Sequence, residues 1–382
     1  MDKIVENNKC TGCTACMSVC PKNAINMITS EDGFKYPVID QDKCIDCGLC
    51  KKICPVLNTK DNKSLNDCFV GYSNNSDEMM KSSSGGLFPL IANEVLSNNG
   101  IVVGTSFDDN NVLKHVAITK SSDLLKLQGS KYLQSDLGNI FSFIKENIND
   151  KKILFVGTPC QVAGLKSFLK KEYDNLICVD LFCHGVPSPK LFNKYINELE
   201  NDNGDKIITF NFRDKSSGWD TYSYTATYKN HSSSELASNN NYSKLFLSDV
   251  ALRESCYNCN FKLGNKYSDI TLGDFWGVKK YYPEMYNKSG VSAIIINTEK
   301  GKNVFDSIID SLVFKDCKLE EILSGNLSLK NSAKKSNKRD EFFNDLDSNS
   351  VSNLVDKYVP KVSLSRKVLN KIKSVVKKLL HK

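Results

Sequence analysis

The chain has 382 residues, of which 40% are apolar, so it is long enough for two or three domains with buried cores and is not a disordered or fibrous protein. Its net charge of +7 is modest, and the eight basic residues among the last 22, a segment without acidic residues, account for all of it. The rest of the chain is close to neutral, which argues against a nucleic-acid-binding protein.

The fifteen cysteines indicate a protein of a reducing compartment. Residues 1–11 are polar and charged and lack the apolar segment of a secretory signal, so we do not expect an extracellular disulfide framework. No stretch approaches 18 consecutive apolar residues, so no spanning helix is expected. We therefore expect a cytoplasmic protein whose cysteines are ligands or buried thiols.

Two cysteine runs in residues 1–58 share the spacing C-x2-C-x2-C-x3-C-P. This is the spacing of bacterial two-cluster ferredoxins, in which the fourth cysteine of each run binds the cluster of the other run. We predict one [4Fe–4S] cluster on Cys10, Cys13, Cys16 and Cys54, and a second on Cys20, Cys44, Cys47 and Cys50. A pair of zinc sites is the alternative, but zinc knuckles do not need two matching four-cysteine runs that each end in proline.

Short strand-like segments at 24–28 and 36–39, with a turn at residues 31–33, predict a hairpin between the two runs. Residues 59–67 are polar and are interpreted as a linker. From residue 68 onward, apolar strands alternate with segments of helical periodicity; the strands are 69–72, 101–104, 152–156 and 176–181, and the helices 86–97, 137–148 and 161–171. This alternation predicts an α/β domain over residues 68–330 with a mixed, partly parallel sheet, and an α+β class overall.

The segment after Ser188 is predicted to form a helix, followed by a β-rich section over 207–228. The Ser- and Asn-rich tract 231–243 is interpreted as an exposed loop, and residues 331–360 as a polar helical or linker segment.

Four more cysteines have neighbours typical of ligands. Cys160 and Cys183 each follow a buried strand, where α/β folds place their sites, and Cys256 and Cys259 form a C-x2-C pair. We predict a third [4Fe–4S] cluster on these four residues. Cys68, Cys178 and Cys317 have no such context and are interpreted as small buried hydrophobic residues.

Six ordered motifs resemble the coenzyme F-420 hydrogenase/dehydrogenase beta-subunit family: SSSGG at 82–86, GSKYLQS at 129–135, GTPCQVAGL at 157–165, CHGVPSP at 183–189, SCYNC at 255–259 and DITLGDFWG at 269–277. The resemblance covers about residues 68–345. It implies an FAD-binding α/β domain with a cluster close to the flavin, which moves electrons between a two-electron partner and one-electron carriers. Members of the family accept different two-electron partners, so the resemblance leaves the substrate open.

A flavin converts between one-electron clusters and two-electron hydride donors, which agrees with this implication. Backbone N–H groups at helix N-termini could hold the FAD phosphates. The candidate cofactor-binding residues are Ser83, Ser84, Gly85, Gly86, Lys131, Tyr132, Gln134, Ser135, Gly157, Thr158, Pro159 and Gln161.

Two residues are candidates for a catalytic role. Lys131 could meet a phosphate or the charge that develops on the flavin, although a solvated lysine is the alternative. His184 could donate a proton near the flavin, tune the cluster or simply pack. Asp274, Phe275 and Trp276 could line the flavin pocket or belong to the core.

Two functions fit these features. The first is an iron–sulfur flavoprotein oxidoreductase that couples a one-electron carrier, such as ferredoxin or a partner redox subunit, to a small-molecule substrate or hydride carrier. The second is a non-catalytic electron-transfer subunit of a larger complex. Coenzyme F-420, NAD(P)H and ferredoxin all remain open as partners, and no G-x-G-x-x-G follows a strand to indicate a nicotinamide domain.

Residues 361–382 are predicted to form a basic amphipathic helix with an apolar face from Leu364 to Leu380. Such a helix lies on an anionic membrane surface or packs on protein. Its many lysines favour peripheral contact with the cytoplasmic face of the membrane.

Overall fold

A computed structural model describes residues 3–59 and 64–360. Thirteen strands lie within these ranges: β1 Ile25–Thr29, β2 Lys35–Ile39, β3 Asp67–Ser73, β4 Ile101–Phe107, β5 Leu113–Ile118, β6 Ile153–Gly157, β7 Leu176–Leu181, β8 Thr209–Asp214, β9 Ser223–Thr227, β10 Ser232–Leu236, β11 Ile270–Asp274, β12 Ser292–Ile296 and β13 Leu312–Asp316.

The same ranges contain thirteen α-helices: α1 Ala15–Val19, α2 Leu49–Lys52, α3 Ser76–Lys81, α4 Leu87–Ser97, α5 Ile140–Asn147, α6 Pro159–Leu169, α7 Pro189–Asn203, α8 Asn241–Leu247, α9 Val278–Tyr281, α10 Glu299–Ser307, α11 Leu319–Gly325, α12 Arg339–Asp345 and α13 Val351–Tyr358. The helices predicted at 86–97, 137–148 and 161–171 are confirmed as α4, α5 and α6, with ends that shift by up to three residues.

The N-terminal module contains the predicted hairpin, in which β1 pairs antiparallel with β2 so that Ile25 lies opposite Ile39. The two short helices α1 and α2 each follow a cysteine loop and begin after a residue in the left-handed conformation, Thr14 and Gly48. Gly48 has a φ of 71°, which a residue without a Cβ adopts at low cost. Two tight cysteine loops therefore lie beside one small sheet.

An eight-stranded sheet forms the centre of the main domain, in the order β13-β3-β12-β11-β7-β6-β4-β5. The four central strands β11, β7, β6 and β4 run parallel to one another. Each pairing outside them, on either side of the sheet, is antiparallel. The predicted mixed, partly parallel sheet is thus confirmed. Its central strands are apolar on both faces because both faces are covered by helices.

Alternation along β6 assigns its side chains to two different cores. Leu154 joins the core beneath α4 and α10, whereas Ile153 and Phe155 join the core beneath α5 and α6. Cys13 and Ala15 of the N-terminal module belong to this second core. The N-terminal module therefore packs against the same layer of helices that covers the sheet.

The interpretation of 231–243 as an exposed loop is wrong. Residues 232–236 are the exposed strand β10, which pairs antiparallel with β9 at the edge of a three-stranded sheet, and α8 begins at Asn241. The Ser-rich composition suits an edge strand with solvent on both faces, and the partner strand supplies the pairing that composition does not reveal.

Residues 331–360 are more than a linker, because they contribute to the core around this smaller sheet. Phe342 and Leu346 of the α12 region and Leu354 of α13 are fully buried there. The predicted linker over 59–67 is attached to the main domain near its end, because Ser64 Oγ donates a hydrogen bond to Asn297 Oδ1 over 2.8 Å. Within the described ranges no helix is both long and apolar enough to cross a membrane.

Candidate functional site

The structure brings together the two predicted ferredoxin quartets. Cys10, Cys13, Cys16 and Cys54 line one cavity, and Cys20, Cys44, Cys47 and Cys50 line another. Each quartet takes three cysteines from one run and one from the other, as the crossed ligand pattern requires. In the described ranges, no group of three metal-binding side chains is placed to hold a single metal ion. The four cysteines of each quartet instead surround a cavity.

A third cavity is lined by the remaining four candidate ligands, Cys160, Cys183, Cys256 and Cys259. Cys160 lies in the first turn of α6, Cys183 follows β7, and the C-x2-C pair lies at the end of a short 3-10 helix over 254–258. Because β6 and β7 are parallel neighbours, their carboxyl ends place Cys160 and Cys183 at the same edge of the sheet.

Burial raises the thiol pKa values in the first and third quartets. The affected cysteines are Cys13, Cys16, Cys54, Cys160, Cys183 and Cys256, and the pKa of Cys183 and of Cys256 reaches about 12. Neighbouring thiols raise it further, since Cys259 and Cys183 act on Cys160, and Cys256 acts on Cys183. Thiolates in this position need a bound cation to offset their desolvation.

Helix α6 joins the third quartet to the first. Its Gly164 packs so closely on the ferredoxin module that an added Cβ would lie 2.7 Å from Cys13 Cβ and 2.9 Å from Cys13 Sγ. Cys160 lies four residues earlier on the same helix, one turn away. The two quartets therefore face each other across about one turn of helix.

Arg253 is a second connection and was not identified from the sequence. It is 1% exposed, and its guanidinium donates to Cys10 O over 2.7 Å, to Gln134 Oε1 over 2.8 Å and to Lys35 O over 2.9 Å. Its guanidinium carbon lies 4.3 Å from the centre of the Tyr36 ring. Because Arg253 also lines the third cavity, it contacts both modules at the point where the first and third quartets meet.

The first group of candidate flavin residues forms the loop before α4. Ser83 Oγ accepts hydrogen bonds from Ser130 N over 2.6 Å and from Ser130 Oγ over 2.8 Å, so the loops at 82–86 and 129–135 touch. Ser84 Oγ donates to Val291 O over 2.8 Å, and Gly85 N donates to Ser292 Oγ over 3.0 Å. Gly86 precedes α4 with a φ of 84°, and no side chain caps this helix.

The second group lies at the start of α6 and is organised by a histidine that sequence reasoning missed. Gln161 Nε2 donates to Ser135 Oγ over 3.0 Å, and Ser135 Oγ lies 3.1 Å from His115 Nδ1. His115 Nε2 lies 3.3 Å from Val156 O, a group that can only accept, so Nε2 carries the proton and Nδ1 accepts from Ser135. Burial lowers the pKa of His115 to about 4, which keeps the imidazole neutral.

Gln161 and Gln134 have structural partners. Gln161 Oε1 accepts from Thr158 N over 2.9 Å, which closes the start of α6, and Gln134 Nε2 donates to Thr11 O over 3.1 Å, which reaches the ferredoxin module. Pro159 occupies the first position of α6, where its missing N–H costs nothing.

Lys131 and Tyr132 lie side by side in the 129–135 loop but have different surroundings. Lys131 Nζ donates to the carbonyl oxygens of Gln128, Leu127 and Lys126 over 2.8, 3.0 and 3.3 Å, and desolvation lowers its pKa to about 7. Its amine is directed at the end of a 3-10 helix. Tyr132 OH accepts from Arg213 Nη1 over 3.3 Å, and its ring packs on Phe246.

His184 lines the third cavity beside Cys183. Its Nε2 lies 2.5 Å from Asp249 Oδ1, and its ring meets Phe246 edge to face. Asp249 was not identified from the sequence, where it has no distinctive neighbours. A carboxylate behind an imidazole orients the ring and can stabilise its protonated form.

A buried ion pair lies next to the Ser83 loop and was also missed. Arg213, 3% exposed, donates to both carboxylate oxygens of Asp274 over 3.1 Å and to Ser83 O over 2.9 Å. Its Nε has no hydrogen-bond partner among the described residues. Trp219 Nε1 donates to Asp274 Oδ1 over 2.6 Å and its ring stacks on Trp276, which is 41% exposed. Phe275 is fully buried in the core.

The prediction of a basic amphipathic helix over 361–382 concerns residues that lie outside the described ranges.

Comparison with known proteins agrees with these two modules. Residues 9–58 match the 4Fe-4S dicluster domain, and residues 150–321 match the family described as the C terminus of the beta subunit of coenzyme F420 hydrogenase/dehydrogenase. The match over 9–58 identifies the N-terminal module as an iron–sulfur domain and decides against zinc sites there.

Among solved structures, a chain of the F420-reducing [NiFe] hydrogenase complex from Methanosarcina barkeri, studied by xenon derivatization, is similar over 78% of this chain and 90% of that chain. The identity is 18% and the TM-score 0.46. No curated protein matches the chain significantly. The chain therefore joins an N-terminal 4Fe-4S dicluster domain to a domain, over residues 150–321, of the family described as the C terminus of the coenzyme F420 hydrogenase/dehydrogenase beta subunit.

Proposed function

We propose that the protein is an iron–sulfur flavoprotein oxidoreductase. It passes electrons between the two ferredoxin-type clusters, a third [4Fe–4S] cluster and FAD, coupled to a small-molecule two-electron donor or acceptor. The main support for this proposal is the position of α6. Its Gly164 packs on Cys13 of the first quartet, and its first turn contributes Cys160 to the third. One helix thus holds the first and third quartets close together.

The donor set at the Ser83 loop fits the phosphates of FAD. Helix α4 is 11 residues long and has no side-chain cap, so its first-turn N–H groups are suited to an anion. Beside this loop, the buried Arg213 Nε lacks an acceptor within residues 3–59 and 64–360. When bound, a flavin would exchange single electrons with iron–sulfur clusters and electron pairs with hydride carriers.

The chain's own residues then have separate functions. The Ser83–Ser130 contact holds two loops together, and Arg213 fixes the first of them through Ser83 O. The Gln161–Ser135–His115 hydrogen bonds hold the start of α6 against the sheet. His184, oriented by Asp249, is the group we propose to donate a proton. Lys131, whose amine has a lowered pKa, is proposed to interact with the negative charge that would develop on the flavin.

Metal and flavin analysis of the anaerobically reconstituted full chain tests the cofactor set. We expect about twelve iron atoms per chain, falling to about eight in the Cys256→Ala variant, together with one FAD. The Cys317→Ala variant is the matched control, because Cys317 is half-buried at the end of β13 and lines none of the three quartet cavities. Iron that saturates at about eight in the unmodified chain would rule out the third cluster.

The alternative function is a non-catalytic electron-transfer subunit, which the description of the family as a beta subunit favours. An enzyme should reduce or oxidise a substrate or dye alone, whereas a relay subunit needs its partner subunit. Anaerobic flavin reduction with NAD(P)H, coenzyme F-420 and reduced ferredoxin, each followed by absorbance, would identify the donor.

A further inference from the structure

Two positive charges that have no acidic partner in the described part of the chain line the third quartet's cavity. Lys262 Nζ donates to Cys183 O over 2.7 Å and to Ser328 O over 2.8 Å, and the three hydrogen bonds from Arg253 also go to neutral acceptors. Lys266 differs, because its amine is paired over 3.0 Å with the buried carboxylate of Asp180. The cavity wall therefore carries a net positive charge from Arg253 and Lys262.

The acidic groups nearby are held away from this wall. Asp249 lies behind His184, which stands between it and the cavity, and Glu254 is engaged by Arg339 and Lys335. Lys262 therefore lies against the backbone of a ligand cysteine, since its amine donates to Cys183 O.

The ferredoxin quartets have a different charge environment. Of the residues that line the second cavity in the described part of the chain, Lys22 is the one cation and it is exposed to screening solvent, while Asp46 Oδ1 lies 3.8 Å from Cys44 Sγ. The residues that line the first cavity are uncharged, and Arg253 reaches that quartet only through the carbonyl of Cys10.

Charge and burial have opposite effects on the reduction of a cluster. Reduction adds a negative charge, which burial disfavours and a nearby cation favours. Cys10, Cys13 and Cys54 of the first quartet are buried, whereas Cys160, Cys183 and Cys256 of the third are half-buried. Burial therefore gives the first cluster no advantage over the third, and the nearby cations favour reduction of the third.

We propose that Arg253 and Lys262 give the third quartet's cluster a higher reduction potential than the first quartet's cluster, so that electrons move from the ferredoxin module toward the third quartet. This inference rests on the proposed function. In each step a reduced iron–sulfur carrier loses one electron and the cluster core gains it, passing from 2+ to 1+ without bond or proton transfer. Two such steps supply the electron pair for one substrate.

Redox titration of the full holoprotein, followed by EPR, tests this order. The signal that disappears in Cys256→Ala identifies the third cluster, and we expect its midpoint potential to lie above that of the first cluster, whose signal disappears in Cys16→Ala. The Lys262→Met variant should lower that midpoint by at least about 59 mV, a tenfold drop in the one-electron reduction equilibrium. The Lys262→Arg variant, which keeps the charge, should restore it.

The Lys302→Met variant is the matched control, because Lys302 lies on α10 with a half-exposed side chain near Asp67 and lines none of the three cavities. A third cluster that is present but has a potential equal to or below that of the first cluster, or a potential that does not change in Lys262→Met, would overturn the inference and leave the proposed function intact. Iron at about eight atoms per chain would overturn both.

Discussion

At the scale of single residues, His115 connects the candidate flavin loops to the core of the sheet. Its ring stacks on Phe155 at 5.4 Å, and its two nitrogens meet Ser135 and Val156. In the neutral ring Nε2 donates to Val156 O and Nδ1 accepts from Ser135 Oγ, and a proton on Nδ1 would remove that acceptor and place a charge in the buried site. The arrangement is therefore sensitive to acid.

The stability contributed by a neutral His115 should be lost at low pH. Its folded pKa of about 4 lies below the ordinary value of 6.5, so the unfolded chain binds the proton more readily. The contribution is complete above pH 6.5 and disappears as the pH falls toward 4, where about 3 kcal/mol is lost. Urea unfolding between these pH values should show a smaller loss of stability in His115→Gln. The exposed His231→Gln variant is the control, and equal pH slopes for wild type and His115→Gln would contradict the prediction.

His184 is predicted to be the proton donor. His184→Gln should lower turnover by roughly 10²-fold or more, the usual contribution of a general acid, while iron and flavin content stay unchanged. Asp249→Asn should lower turnover less, because it removes only the group that orients the ring. Steady-state kinetics with parallel cofactor analysis checks both variants, and unchanged turnover in His184→Gln would exclude the role.

At the scale of secondary structure, α6 is the element on which the site depends. Its first turn carries Cys160, Gln161 closes its N-terminus, and its buried face covers the sheet through Val162 and Leu165. Gly164 allows α1 of the ferredoxin module to approach this helix. Glycine is unfavourable inside a helix, so its presence here reflects the close contact with Cys13.

The Gly164→Ala variant should therefore be destabilising, although alanine is the better helix former by about 1 kcal/mol. The added Cβ would lie 2.7 Å from Cys13 Cβ, and overpacking of this kind costs about 1–3 kcal/mol. We expect a lower melting temperature and an altered EPR signal from the first cluster. Ser167→Ala, a half-buried position on the same helix, should change neither. A Gly164→Ala protein as stable as wild type would show that the helix and module are not in tight contact.

At the scale of the whole molecule, the ferredoxin module is held on the main domain by polar contacts at several points. Arg339 Nη2 donates to Asp32 Oδ2 over 3.0 Å, Ser188 Oγ donates to Asp32 O over 2.5 Å, and Lys190 Nζ donates to Glu31 O over 3.0 Å. Together with Arg253, these contacts fix the hairpin turn and the first cysteine loop. The distances between quartets are thus set by the fold of both modules.

Deletion of residues 361–382 tests the predicted peripheral membrane contact. The segment carries eight basic residues and no acidic ones, so we expect the full chain to sediment with anionic vesicles and the truncated chain to remain in solution. High salt should release the full chain, because the attraction of lysines to anionic lipid is screened. Neutral vesicles are the control. Co-sedimentation that is the same with and without the segment would contradict the prediction.

Several features of this protein follow from local sequence. The two C-x2-C-x2-C-x3-C-P runs predict the iron–sulfur module, because three ligands of each cluster lie within a few residues of one another and the matching run supplies the fourth. The helices α4, α5 and α6 and the apolar strands β6 and β7 follow from periodicity and length. The third cysteine set was proposed from strand ends and a C-x2-C pair, and the structure places all four residues around one cavity.

Other features depend on contacts between distant parts of the chain. Arg253 meets Cys10, and Arg213 meets Ser83 and Asp274, across separations of 61 to 243 residues that no local pattern encodes. The strand β10 can be recognised only from its pairing with β9, because its composition alone suggests a loop. Sequence spacing determines which residues share a turn or a face, whereas strand order and helix packing decide which buried charges lie beside which cysteines. For this reason the sequence by itself determined the kinds of cofactor that we propose, and only the tertiary structure decided which charged side chains lie around each cysteine quartet.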